Sequence, residues 1–166
     1  MKVAIVLFPG TNCELDTQYA FELLGCQTQI IWHKESEINA DLIVLPGGFS
    51  YGDYLRTAAI AKFSPAMSAV VKHAQKGGYV LGICNGFQML CELKLLAGAM
   101  RRNENLSFIS KYHHLKVVSN ANKFLSNFAL PSSAPLKTHL LPSNLHPKIP
   151  PKPRENLISF SCELLF

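Results

Sequence analysis

Short apolar runs punctuate the first hundred residues, and amphipathic stretches separate them. Lys2–Leu7 is rich in valine and isoleucine, as in a central parallel strand, and Gln27–Trp32, Asp41–Leu45 and Tyr79–Ile83 read as further strands. Between the first two, Glu14–Leu24 repeats apolar residues at helical spacing (Leu15, Tyr19, Leu23), and Gly25 follows as a C-cap. Ala58–Lys76 predicts a second helix stopping at Gly77-Gly78, and Asn85–Leu96 predicts a further one. Alternating strands and helices specify an α/β fold, a mostly parallel sheet with helices on both faces. Such sheets place ligands at the carboxyl ends of their strands. The glycine-rich and reactive residues lie there, in the loops after the first, third and fourth strands.

The pattern then changes. Phe108–Val118 still reads as strand, but regular periodicity ends near Leu130. Pro131, Pro135, Pro142, Pro147, Pro150, Pro151 and Pro153 crowd the next segment, and proline removes donors that helices and interior strands need. This divides the chain into a domain over 1–130 and a proline-rich tail over 131–166, expected to be poorly ordered or loosely attached. The apolar Leu157–Phe166 could add a strand, with nothing in the sequence fixing its place.

Composition narrows the class. At 166 residues and 48% hydrophobic, the chain can bury a core. It contains no apolar run long enough for a membrane span. The apolar N-terminus ends in Pro9-Gly10 without a small-residue cleavage site, so it reads as a first strand rather than a signal peptide. Five scattered cysteines make neither a metal spacing nor a disulfide framework, which suits reduced thiols in the cytoplasm. The charge of +5 is concentrated after Arg101, among prolines and serines. No amphipathic helix presents it, so no nucleic-acid partner is expected.

The chemistry centres on Val80-Leu-Gly-Ile-Cys84-Asn-Gly-Phe-Gln88. A buried strand that stops at a cysteine and turns into a helix forms a nucleophile elbow. The helix N-terminus favours the thiolate. Gly82 and Gly86 are small where two backbone segments would pass closely. The plain alternative is a structural cysteine at a strand end. Leu45-Pro-Gly-Gly-Phe-Ser-Tyr-Gly-Asp-Tyr-Leu-Arg56 follows the third strand, and its glycines would let backbone amides face a developing oxyanion. The alternative there is an empty turn. Asp53 and Arg56 are candidates for a substrate's charged ends, against a merely solvated role. In the loop Pro9-Gly10-Thr11-Asn12-Cys13, Thr11 or Asn12 could cap the next helix; Cys13 is a second candidate nucleophile in principle, but it lacks the strand-into-helix glycine context and reads as a packing or loop residue. A cysteine nucleophile needs a histidine base, but none of His33, His73, His113, His114, His139 and His146 stands in a recognisable triad context.

Leu7–Asp16, Pro46–Arg56 and Gly82–Leu90 resemble the glutaminase subunits of phosphoribosylformylglycinamidine synthase, a branch of the class I glutamine amidotransferase family. The likeness runs from Met1 to about Phe128 and includes Ala97–Asn103. It implies a flavodoxin-like fold, with the C-terminal part here replaced or truncated. It also implies hydrolysis of L-glutamine through a cysteinyl thioester at Cys84, with the amides of Gly48 and Asn85 as oxyanion hole. Gly47, Phe49, Gln88 and Arg56 would then shape the glutamine pocket or the subunit contact. The implied partners are a large synthetase subunit, which binds ATP and magnesium, and a small accessory subunit. No cofactor or metal is implied in this chain.

The family continues with a Pro-His-Pro-Glu-like segment supplying the catalytic histidine and glutamate. Here His146-Pro147 is followed by Lys148. One coding of Ser133-Ala134-Pro135 reads Ala-His in another frame, so a frameshift near Leu130 is expected to have replaced the family's ending. Activity would then be impaired. The alternative is a non-catalytic module that keeps the fold and the synthetase contact. A protease- or chaperone-like relative would carry histidine after the cysteine, where this chain has Asn85.

Overall fold

The structure, a computed structural model, describes residues 1–97, 99–100, 123–124 and 126–127, and the backbone of 157–160. The strand expected over Phe108–Val118 and most of the 131–166 tail lie outside the described residues.

Five parallel strands form one sheet: β1 (Lys2–Leu7), β2 (Gln27–Trp32), β3 (Leu42–Leu45), β4 (Tyr79–Ile83) and β5 (Leu157–Phe160). Their order is β2-β1-β3-β4-β5. Four of these strands stand where the apolar runs place them. The tail sequence left Leu157–Phe160 without a position; it pairs with β4, Val80 opposite Leu157 and Ile83 opposite Phe160.

Alternate side chains divide the core between the two faces of the sheet, as the pleat requires. Ala4, Val6, Ile43, Leu45 and Val80 pack with Met67, Val70, Met89 and Leu90 of α2 (Pro65–Gln75) and α3 (Asn85–Glu92). Val3, Ile5, Leu42 and Val44 take the other face, with Phe21 of α1 (Glu14–Leu23) and Phe124 packed against them. Helices on both faces agree with the class read from the sequence.

Two helical expectations need correction. Leu15, Tyr19 and Leu23 are 63%, 63% and 69% exposed, so the apolar repeat of α1 marks its outer face. Buried Thr17 and half-buried Phe21 face inward instead. The stretch Ala58–Lys76 is not one helix. A 3-10 turn (Ala61–Phe63) ends at Ser64, whose ψ of 148° is extended, and α2 starts at Pro65. Proline bars the helical conformation in the residue before it and suits the first helical position itself.

The strand order reverses between β1 and β3, and the loops that follow them are joined by an antiparallel bridge between Thr11 and Gly48. Phe49 N–H donates to Gly10 O at 3.0 Å. The loop after β3 thus lies across the loop after β1, beside the end of β4. This is the crevice where open α/β sheets take ligands.

Candidate active site

Cys84 stands between β4 and α3 with φ 51° and ψ −107°, left-handed backbone that an L-residue adopts only when its surroundings hold it there. The glycines on either side allow it. A Cβ on Gly86 would collide with the Leu45 carbonyl oxygen, and one on Gly82 would lie 2.7 Å from Leu90 Cδ1 and 2.8 Å from Gly86 O. The elbow therefore packs directly on the neighbouring strand, as the sequence predicts.

Cys84 borders a cavity of about 280 Å³, with Ile83 and Gln88 on its own side. Gly47, Gly48, Phe49, Asp53 and Thr57 close it from the loop after β3. Asn12, Cys13 and Thr17 close it from the loop after β1. Gly48 has φ 137°, and a Cβ there would lie 2.8 Å from both Asn12 N and Asn12 Oδ1, so the position excludes any other residue. A Cβ on Gly47 would sit 3.5 Å from both Cys13 Sγ and Cys84 Cβ. Cys13, read from the sequence as a packing residue, is thus a wall of the same cavity.

Asn85 is buried and ties the loop to the elbow. Its Oδ1 accepts from Ser50 N–H at 3.2 Å. Its Nδ2 donates to Asp53 Oδ1 at 3.2 Å and to Gln88 Oε1 at 3.0 Å. Burial raises the Asp53 carboxyl above the ordinary carboxylate range, while hydrogen bonds from Ala58 N–H and Asn85 oppose the rise.

Of the site residues read from the sequence, Cys84, Gly47, Gly48, Phe49 and Gln88 meet at one cavity, with Asn85 directly behind them. Arg56 is not among the residues lining it. Its side chain is 61% exposed, and Nε and Nη2 donate to the Glu92 carboxylate at 2.9 and 2.6 Å. This pairing holds the Glu92 carboxyl below its ordinary range. Asn12, Thr17 and Thr57 were missed. Asn12 and Thr57 stand in loops after strand ends and Thr17 stands within α1, positions too common to single them out.

The two described histidines serve elsewhere. His33 Nδ1 pairs with the Tyr51 hydroxyl at 2.8 Å, inside a cluster with Phe8 and Trp32. His73 Nε2 lies 3.2 Å from the Tyr79 carbonyl oxygen. His113, His114, His139 and His146 lie outside the described residues. Among the described residues no group of three His, Cys, Asp or Glu could hold a metal ion, and no helix is long and apolar enough to cross a membrane.

Chemically, the arrangement presents a thiol at a helix N-terminus, glycine-lined backbone opposite it, and an amide and a carboxylate further along the same cavity. That set suits nucleophilic attack on an acyl carbon.

Residues 1–134 match the CobB/CobQ-like glutamine amidotransferase domain family. The chain is 71% identical over 128 residues to subunit PurQ of phosphoribosylformylglycinamidine synthase from Campylobacter jejuni, covering 77% of this chain and 57% of that one. It is 58% identical over 132 residues to the subunit of the same name from Wolinella succinogenes, covering 78% and 61%. Among solved structures it resembles a chain of PurLQS from Thermotoga maritima, with TM-score 0.68 and 39% identity over 73% of this chain and 57% of that one. The chain spans less than two thirds of the length of these relatives.

Proposed function

Because this chain belongs to the CobB/CobQ-like glutamine amidotransferase domain family, we propose that it is the glutaminase part of a phosphoribosylformylglycinamidine synthase. The observation that carries this reading is Cys84 itself, held in left-handed backbone at the mouth of α3 and facing a cavity opposite Gly48. The Cys84 thiolate attacks the carboxamide carbon of L-glutamine. A carbon–sulfur bond forms, and negative charge moves to the carboxamide oxygen. The backbone N–H groups of Gly48 and Asn85 receive that oxyanion. The intermediate then collapses, the carbon–nitrogen bond breaks, and ammonia leaves once its nitrogen has gained a proton. Water cleaves the thioester, releasing glutamate and restoring the thiol. Gly47, Phe49 and Gln88 shape the pocket around the substrate.

In this reading the ammonia passes to a large synthetase subunit that uses ATP and magnesium to convert formylglycinamide ribonucleotide into formylglycinamidine ribonucleotide. A small accessory subunit joins the complex, which works in the cytoplasm. No cofactor is assigned to this chain.

One observation favours a second reading, a non-catalytic module with the same fold: among the described residues both histidines, His33 and His73, are engaged away from the cavity. Ammonia release separates the two. The full chain, mixed with a synthetase subunit, should release ammonia from L-glutamine, and Cys84→Ser should abolish it. Co-purification of chain and synthetase without ammonia release would establish the second reading and sink the first.

A further inference from the structure

Resting on the glutaminase reading, we infer that Asp53 binds the α-ammonium of the substrate and makes the cavity selective for an amino acid over a simple amide. A glutamine carboxamide that reaches Cys84 leaves an ammonium and a carboxylate at the other end of the molecule. In a narrow, largely apolar cavity such a cation requires an anion. Among the described residues lining the cavity, Asp53 alone carries a carboxylate.

Its placement is built in. Tyr51, Gly52 and Asp53 are successive left-handed residues, at φ 54°, 64° and 53°, so the loop turns sharply where Asp53 joins the cavity lining. Asp53 Oδ1 accepts from Asn85 Nδ2 at 3.2 Å, and Asn85 follows Cys84 in the chain. The separation between the anion and the attacking sulfur is therefore fixed through one buried side chain rather than by a free loop. Arg56, the other charged residue of this segment, is occupied by Glu92 outside the cavity. An ammonium brought to Asp53 would also offset the cost of burying an ionised carboxylate there.

The test compares two cysteine alkylating agents on the full chain: L-2-amino-5-chloro-4-oxopentanoate and 5-chloro-4-oxopentanoate, which differ only in the amino group. With each, the thiolate displaces chloride from the chloromethyl carbon, and mass spectrometry follows modification of Cys84. The unmodified chain should react with the amino compound at least about tenfold faster at low reagent concentration, the worth of one charge-assisted hydrogen bond. Asp53→Asn keeps an oxygen for Asn85 and tolerates left-handed backbone. It should erase that preference, so that the amino compound reacts no faster than the desamino one, and Asp53→Glu should restore part of it. A preference that survives Asp53→Asn, or an equal loss with both reagents, would overturn the inference while leaving the glutaminase reading intact. Failure of both reagents to saturate Cys84 of the unmodified chain would overturn both.

Discussion

Asn85 and Asp53 are joined behind the cavity lining by a 3.2 Å hydrogen bond, although thirty-two positions separate them in the chain. The same amide receives the Ser50 N–H and donates to Gln88. One side chain thus locks the glycine-rich loop onto the elbow. Asn85→Ala would take the partner from the buried Ser50 N–H and remove one hydrogen bond each from Asp53 and Gln88. A loss of about 2–3 kcal/mol is expected in urea unfolding, within the range for orphaned buried groups. Alkylation of Cys84 should slow at the same time, because the loop would no longer be fixed opposite the sulfur.

Two glycines near Cys84 should behave differently. Gly86→Ala drives a methyl into the Leu45 carbonyl, backbone against backbone, and should cost about 3 kcal/mol or more, or abolish folding. Gly47→Ala meets Cys13 and Cys84 only at ordinary contact distance, 3.5 Å. Its stability should stay within about 1 kcal/mol of the parent. Its methyl would stand between the two cysteines, so Cys84 should react more slowly with glutamine-like chloroketones. A Gly47→Ala protein that folds and reacts at the parent rate would contradict this account of the cavity wall.

The His33–Tyr51 pair predicts a pH dependence. Burial holds the His33 imidazole below its ordinary value of 6.5, with the nearby Lys34 adding to the effect. The unfolded chain therefore binds the His33 proton more readily than the folded one, and stability rises with pH across the interval below 6.5. Denaturation midpoints should fall as the solution is acidified through that interval, on top of any carboxylate effect at lower pH. His33→Phe should flatten the slope there. It should also lower stability at neutral pH by about 1 kcal/mol, because the Tyr51 hydroxyl loses its partner.

Thiol reactivity should map the interior. Cys91 is buried against the core, and its thiol is pushed up to about 11 by burial and the neighbouring Glu92. Iodoacetamide at neutral pH should leave Cys91 unmodified in the native chain while reaching the half-buried Cys13, Cys26 and Cys84. Modification of Cys91 at the rate of Cys84 would show that α3 opens.

The interior strands and the elbow were legible because β1 and β3 are buried on both faces and their composition follows directly, whereas β2 lies at the sheet edge and keeps exposed residues. Lys2–Leu7 and Tyr79–Ile83 keep the same bounds in sequence and structure. Faces of helices were less legible. The Leu15, Tyr19, Leu23 repeat obeys the correct period but lies on the wrong side, since spacing alone does not say which stripe meets the sheet. The break at Ser64 was available from Pro65, but the apolar content around it masked the signal. Charge alone made Arg56 and Asp53 equal candidates for a substrate's charged ends and could not separate their settings. They depend on Glu92 and Asn85, partners far along the chain that only the fold brings near.

The pairing of β4 with β5 has a consequence for how the chain is made. Tyr79–Ile83 leads straight to Cys84, yet one of its two neighbours, Leu157–Phe160, is encoded far downstream. During translation β1 to β4 can associate as soon as they emerge, since domains begin to fold from the N-terminal side. The outer edge of β4 then stays open on the ribosome, offering its N–H and C=O groups to any extended segment nearby. The strand that leads to Cys84 is thus among the first to join the sheet and the last to be enclosed by it.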